Sequence, residues 1–252
     1  VDDDALWQAV IEAMERFEGH IHRWLDSPPQ TNEVRRSAVI LAGLGAVRQR
    51  YDQPADLLEL GTSGGLNLRA DRYRLQVPGM SVGPSDARVV LTPEWRGALP
   101  VMRLPEIRTR KGVDLAPLDP TSAEGQLRLQ AYLWPDQTDR LERTKAAITE
   151  AKLTPAELTS GDAGTWLEAA LANEADDRLR IVFHTVAWQY FPEATAKQAL
   201  RAMEQARAPL VRLAMEADGG EGALVSLTHY PNGELQVLGR ADFHGRWIDW
   251  RE

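Results

Sequence analysis

The sequence contains no cysteine, which excludes disulfides and thiolate metal sites and agrees with a reducing, cytoplasmic setting. It lacks a long hydrophobic run: the longest, Ala38 to Val47, is broken by glycines and is too short to cross a bilayer. It also lacks a long basic run, and its net charge is −8. Non-specific binding to nucleic acid or to an anionic membrane is therefore not expected. No signal-peptide pattern opens the chain, and Val1 in place of Met leads us to expect a trimmed or processed start. No histidine and acid spacing suggests a metal site, so none is expected. What remains is ordinary globular composition, 43% hydrophobic and 26% charged over 252 residues. That length suits one α/β domain with a helical extension, or two small domains.

The chain is organised around Asp56-Leu57-Leu58-Glu59-Leu60-Gly61-Thr62-Ser63-Gly64-Gly65-Leu66-Asn67. A short apolar run breaks into a glycine turn and then a helix-like segment, which is how α/β proteins bring backbone N–H groups to a nucleotide-like ligand. Before it, Leu6, Val10, Ala13, Met14 and Phe17 recur at helical spacing, stopped by Ser27-Pro28-Pro29. A second helix is expected to open at Thr31 or Asn32 as cap, with Val34, Ala38, Leu41 and Val47 buried.

After the turn, a helix through about Ala70 leads to two short strands at Tyr73–Val77 and Ala87–Thr92. With the proline-rich passage that follows, they form a β insertion over about 73–106. Further strands are expected at Ile107–Leu115, Glu157–Ser160, Leu179–His184 and Leu210–Met215. Helices fill the intervals, one of them broken at Trp134-Pro135-Asp136. A hairpin, Ala223–His229 and Leu235–Arg240, closes the order. The alternation predicts an α/β fold: a Rossmann-like, mostly parallel sheet with a C-terminal antiparallel hairpin. A helical segment (1–55) precedes this domain (56–252).

Three chemistries compete for the turn. A dinucleotide turn wants G-x-G-x-x-G, but Ser63 and Leu66 occupy the second and third glycine positions. Gly61-Thr62-Ser63-Gly64-Gly65 satisfies the G-x-S-x-G of serine hydrolases, with Asp114 or Asp162 and then His184, His229 or His244 as partners. Against this, the lead-in is helical and no His-Gly-Gly stretch offers an oxyanion loop.

The third reading is the first motif of S-adenosylmethionine-dependent methyltransferases, an acid followed by G-x-x-x-G, matched by Glu59, Gly61 and Gly65. Here Glu59 orients the loop and helps neutralise the cationic end of the ligand, Asp114 takes the ribose hydroxyls, and Asp162 with the Ala163 N–H meets adenine. Thr62, Ser63, Asn67 and Leu115 complete the expected cofactor lining. Asp114 lies about 55 residues beyond Glu59 rather than about 20, so this reading requires the β insertion.

The blocks Gln30-Thr31-Asn32-Glu33, Glu59 to Asn67, Asp71-Arg72-Tyr73, Gly112 to Asp119, Trp134 to Gln137, Gly161-Asp162, Phe183 to Tyr190 and His244-Gly245 with Trp247 resemble, in this order, a bacterial family known as a domain of unknown function. The resemblance covers roughly residue 29 onward and implies a methyltransferase-like Rossmann fold without fixing a substrate. Members of that family carry more chain before the first block, which implies a shortened N-terminus here.

His184, at the end of a central strand, is the candidate base or acceptor-orienting residue, with a pocket-shaping histidine as the equal alternative. Thr31, Asn32 and Glu33 are a helix cap or a segment closing over the pocket. Arg72 belongs to a structural ion pair or grips an anionic substrate. Trp134, Trp188, Tyr190 and His244 are the remaining substrate-side candidates. The expected activity is methyl transfer from S-adenosylmethionine to a small molecule. A non-catalytic nucleoside-binding module is the first alternative and a serine hydrolase the second; the oligomeric state is left open.

Overall fold

The computed structural model describes residues 2–26, 30–100, 103–172, 177–207 and 209–251. The chain divides into two units, residues 1–30 and 31–252. In the first, α1 (Asp3–Arg16) starts at Asp2, whose carboxylate accepts from the Asp4 N–H at 3.2 Å. Asp3 and Asp4 fall in its first turn and Arg16 in its last, as the helix dipole favours. A second helix, α2, spans Glu18–Leu25. The expected Ser27-Pro28-Pro29 stop lies outside the described residues.

The second unit is built on a nine-stranded sheet. Its parallel half comprises β1 (Ala55–Leu60), β6 (Ile107–Asp114), β7 (Glu157–Ser160), β8 (Leu179–Thr185) and β9 (Leu210–Ala217) in the spatial order β7-β6-β1-β8-β9. Numbered along the chain this is 3-2-1-4-5, the doubly wound order whose switch point lies between β1 and β8. Strand β1 is buried along its whole length, as a central parallel strand covered on both faces requires. One face packs Leu57, Ile181, Phe183, Val211 and Leu213 against α3 (Ser37–Arg50). The other packs Leu58, Leu60, Val113 and Val182 with residues of α6 (Ala163–Ala172) and α7 (Glu193–Glu204).

Beyond β9 the sheet continues as an antiparallel meander, β10 (Ala223–Tyr230), β11 (Glu234–Ala241) and β12 (Trp247–Trp250). The fold is thus the expected mostly parallel Rossmann-like sheet with an antiparallel closure, and the closure is larger than a hairpin. Strand β5 (Glu94–Gly97) leaves the insertion to pair in parallel with β12 at the sheet edge. The rest of the insertion is a separate three-stranded sheet of β2 (Arg74–Val77), β3 (Met80–Val82) and β4 (Val90–Leu91).

The segment after the glycine turn differs from the expected helix. It is a 3-10 helix, Leu66–Arg72, kinked at Arg69. Side chains take up its carbonyls: the Tyr73 hydroxyl donates to Leu66 O at 2.6 Å, and the Arg69 guanidinium donates to Gly65 O. A regular α-helical ladder is therefore not needed to satisfy them. The proline break falls as expected, between α4 (Ala123–Ala131) and α5 (Thr138–Leu153). Among the described residues no helix is long and apolar enough to cross a membrane.

Candidate functional site

The glycine turn leaves β1 at the switch point and is tied to the neighbouring strand. The Gly61 and Thr62 N–H groups both donate to Val113 O, at 2.9 and 3.0 Å. The next residue, Asp114, accepts from Ser63 N at 2.9 Å and Ala116 N at 3.1 Å, so the acid that ends β6 also fixes the turn. Gly61 has φ +73, and a Cβ there would stand 2.6 Å from the Ala187 Cβ. Its missing side chain lets the loop after β8 lie on the turn.

Glu59 is 2% exposed and accepts from the Thr62 hydroxyl at 2.6 Å. Burial pushes its carboxyl up to about 8, against the smaller opposing effects of Thr62 and Arg69. It therefore orients the loop as a largely neutral group at pH 7, whereas the sequence reading gave it a charge as well.

The Gln30-Thr31-Asn32-Glu33 block meets the turn through its last two residues. Asn32 Oδ1 accepts from Leu66 N at 2.9 Å, so its cap belongs to the segment after the turn. The carboxylate that caps the 3-10 turn Val34–Arg36 ahead of α3 is Glu33, accepting from Arg35 N at 3.1 Å. Asn67 is buried; it accepts from the Ser37 hydroxyl at 2.7 Å and donates to Glu33 O at 3.4 Å. Thr31 is exposed.

At the end of β7, Asp162 accepts from Thr165 N at 2.9 Å and from the Thr195 hydroxyl, which chiefly holds its carboxyl below the ordinary value. Ala163 is buried, and Leu115 is 76% exposed just past Asp114. Glu59, Asp114 and Asp162 thus mark the C-terminal ends of three consecutive parallel strands, β1, β6 and β7.

His184 is fully buried near the end of β8. The strand register sets it opposite Ala214, with Arg212 and Glu216 on either side of that small residue along β9. Its Nδ1 lies 2.6 Å from Glu216 Oε1, and its Nε2 accepts from Arg212 Nε at 2.9 Å. This pattern fixes the neutral Nδ1–H tautomer. Burial, first, and the Arg212 charge hold the imidazole below its ordinary value, against the Glu216 hydrogen bond.

Glu216 also accepts from Ala187 N at 3.0 Å and Trp188 N at 3.2 Å. Burial opposes its ionisation, yet these donors and His184 hold it below the ordinary carboxylate value. Trp188 stacks on His184, and Arg212 lies over the Trp188 ring at 4.1 Å.

Other substrate-side candidates are dispersed. Trp134 and Tyr190 are exposed by 71% and 75%. Arg72 lies 3.6 Å from Asp71, which also pairs with Arg110, at the start of the insertion. Glu33 and His244 do come together. They line a cleft of about 430 Å³ with Asp136, Gln137, Arg140 and Arg246, in which Arg140 Nε stands 2.7 Å from Glu33 Oε2. Ser63 Oγ is buried without a hydrogen-bond partner, and its φ is +51.

The sequence reading missed Glu216, Arg212 and Arg36. The last donates to Thr185 O at 3.0 Å and Phe243 O at 2.8 Å, joining the end of β8 to the turn before β12. A signal for the first two was present: Arg212 and Glu216 interrupt an apolar strand at even spacing, which puts both on one face.

The 3-2-1-4-5 parallel order with its antiparallel closure makes this a Rossmann-like α/β fold. The chain belongs to the family described as "Uncharacterized protein conserved in bacteria (DUF2332)", whose model matches residues 1–250 and so also takes in the stretch before residue 29. Among solved structures it is similar to the crystal structure of the 23S rRNA methyltransferase ErmE, at 12% identity and a TM-score of 0.28. That alignment covers 70% of this chain, which spans only 45% of the ErmE chain. No curated protein matches.

Proposed function

We propose that the protein binds S-adenosylmethionine at the glycine turn and transfers its methyl group to a small molecule. The observation that carries the reading is the placement of Glu59, Asp114 and Asp162 at the ends of β1, β6 and β7, beside the switch point. In this reading Asp114 receives the ribose hydroxyls. Asp162 and the Ala163 N–H face the adenine. When bound, the cofactor supplies an electrophilic methyl; the chain binds, orients and excludes water.

In this reading His184 is a positioning residue. With Nδ1 on Glu216 and Nε2 on Arg212, neither ring nitrogen is available to take a proton from an acceptor. The same fact favours a second reading, a non-catalytic nucleoside-binding module. A serine hydrolase is disfavoured: Ser63 Oγ meets no base.

Calorimetric titration with S-adenosylmethionine and S-adenosylhomocysteine, on wild type and Asp114→Asn, tests the cofactor. Micromolar binding weakened in the variant is the expected result, and no binding by the folded wild type overturns the reading. Titration in buffers of different ionisation enthalpy adds a second readout. A cationic ligand beside Glu59 favours its ionised form, so binding at pH 7 releases up to about one proton. Formation of S-adenosylhomocysteine on addition of a small-molecule extract separates a methyltransferase from a binding module.

A further inference from the structure

A second cleft, of about 270 Å³, shares Arg35, Asp139 and Arg246 with the cleft beside His244. Its charged lining is three arginines, Arg35, Arg143 and Arg246, against one acid, Asp139, in a chain whose net charge is −8. The arginines differ in how they are matched. Arg246 is held by Asp242 through two bonds of 2.9 and 2.8 Å. Arg143 is only 12% exposed, and its Nε and Nη2 have no hydrogen-bond partner among the described residues. Its nearest carboxylate, Glu33, is 3.9 Å away and is already engaged by Arg140 and the Arg35 N–H.

Among the described residues Arg35 makes no side-chain ion pair, and its charge works against that of Arg143. Two guanidinium groups that repel each other are thus held at one cleft, one of them largely buried with unused donors. Unpaired N–H groups at that depth each carry a desolvation cost, which a bound acceptor removes. The local backbone keeps the cleft narrow. At Gly245, φ +71, a Cβ would stand 2.8 Å from the Arg35 backbone, so only glycine lets the Asp242–Trp247 turn lie on that segment. Val90, Leu91 and Pro93 of the insertion form the apolar side.

We infer that this cleft is an oxyanion subsite, in which Arg35 and Arg143 grip the phosphate or carboxylate head of a small molecule whose body lies against Val90, Leu91 and Pro93. The volume suits a head group with a short body rather than a whole drug-sized ligand, for which about 300–1,000 Å³ is usual. The guanidinium fork matches either head bidentately. The inference stands on the cleft alone and requires no cofactor. If the methyl-transfer reading holds, the acceptor is an anionic molecule.

The test is titration of the full chain, without S-adenosylmethionine, by inorganic phosphate and separately by succinate, at constant ionic strength set with chloride. Binding of at least one anion, weakened about tenfold or more in Arg143→Gln and in Arg35→Gln, is the expected result; tenfold corresponds to about 1.4 kcal/mol. Phosphate alone identifies a phosphoryl head and succinate alone a carboxylate head. Circular dichroism establishes that each variant is folded, and if Arg143→Gln fails to fold, the half-buried Arg35→Gln decides. The inference is overturned if neither anion binds the wild type, or if the folded variants bind as it does. Either failure leaves the cofactor titration of the previous section unaffected.

Discussion

Glu59, buried, and Glu216, largely buried, are carboxyl groups near the ends of parallel strands in the same sheet, and they hold opposite states. Glu59 accepts from the Thr62 hydroxyl, and burial raises it to about 8. Glu216 has three donors, the His184 ring and the N–H groups of Ala187 and Trp188, with the Arg36 and Arg212 charges near. It stays ionised despite its burial. Burial alone therefore does not decide charge in this protein; the number of hydrogen-bond donors aimed at the carboxylate does. The β1 end offers a neutral acid that a cation can ionise, and the β9 end a fixed anion that holds a loop in place.

The contrast predicts different responses to mutation. Glu59→Gln has the largest expected effect, and it is one of pH. In the wild type the unfolded Glu59 ionises above its ordinary value of 4.5 while the folded group stays protonated to about 8. Stability must then fall as pH rises through that window, by at most roughly 5 kcal/mol. Urea unfolding at pH 5 and pH 8 should show this fall in the wild type and a flatter profile in Glu59→Gln. Equal slopes would mean that Glu59 is ionised in the folded protein.

Glu216→Ala should cost about 3–4 kcal/mol at pH 7, because it strands two backbone N–H groups and the buried His184 Nδ1–H. The near-ultraviolet signal of Trp188 should change with it, since the same loop carries that ring. A loss below about 1 kcal/mol would show that the loop is held otherwise.

A third carboxyl, Asp242, is multiply hydrogen-bonded like Glu216, and the Arg246 hydrogen bond chiefly lowers it to about 2. Its contribution is present above the ordinary value of 3.8 and lost as pH falls through about 2. Because Arg246 is largely exposed, screening leaves about 1–2 kcal/mol. Acid unfolding of Asp242→Asn should lack that decline between pH 4 and 2. Smallest is Thr62→Val, expected to cost about 1 kcal/mol and to raise Glu59 further. A carboxyl-resolved NMR titration would detect that rise, and its absence would remove Thr62 from the account.

Much of the fold was legible because it is local. The unbroken burial of Ala55–Leu60 and the positive φ at Gly61 follow from an apolar run ended by glycine. The α4–α5 break follows from Pro135. The edge strand β5 and its neighbour β12 escaped, since four residues give too little periodicity to separate a strand from a loop. The site was legible only in part. Glu59, Asp114 and Asp162 could be placed from strand ends, but Asn32 capping Leu66 is a contact across 34 positions that no local pattern encodes. The partners of His184 required the register of β8 on β9, which sets Ala214 opposite it. Arg35 and Arg143 come together from α5 and the segment before α3, and in sequence each resembles an ordinary surface arginine.

The pairing of β5 with β12 bears on the order of assembly. Residues 94–97 gain their sheet partner only when residues about 150 positions later are in place, a costly loop to close early. The 3-2-1-4-5 half can form without them, whereas the edge must lock last. Until then Trp95 and Trp250, whose ring centroids end 5.8 Å apart, remain unjoined. Their fluorescence during refolding should report that final event, after the central strands are already protected from hydrogen exchange.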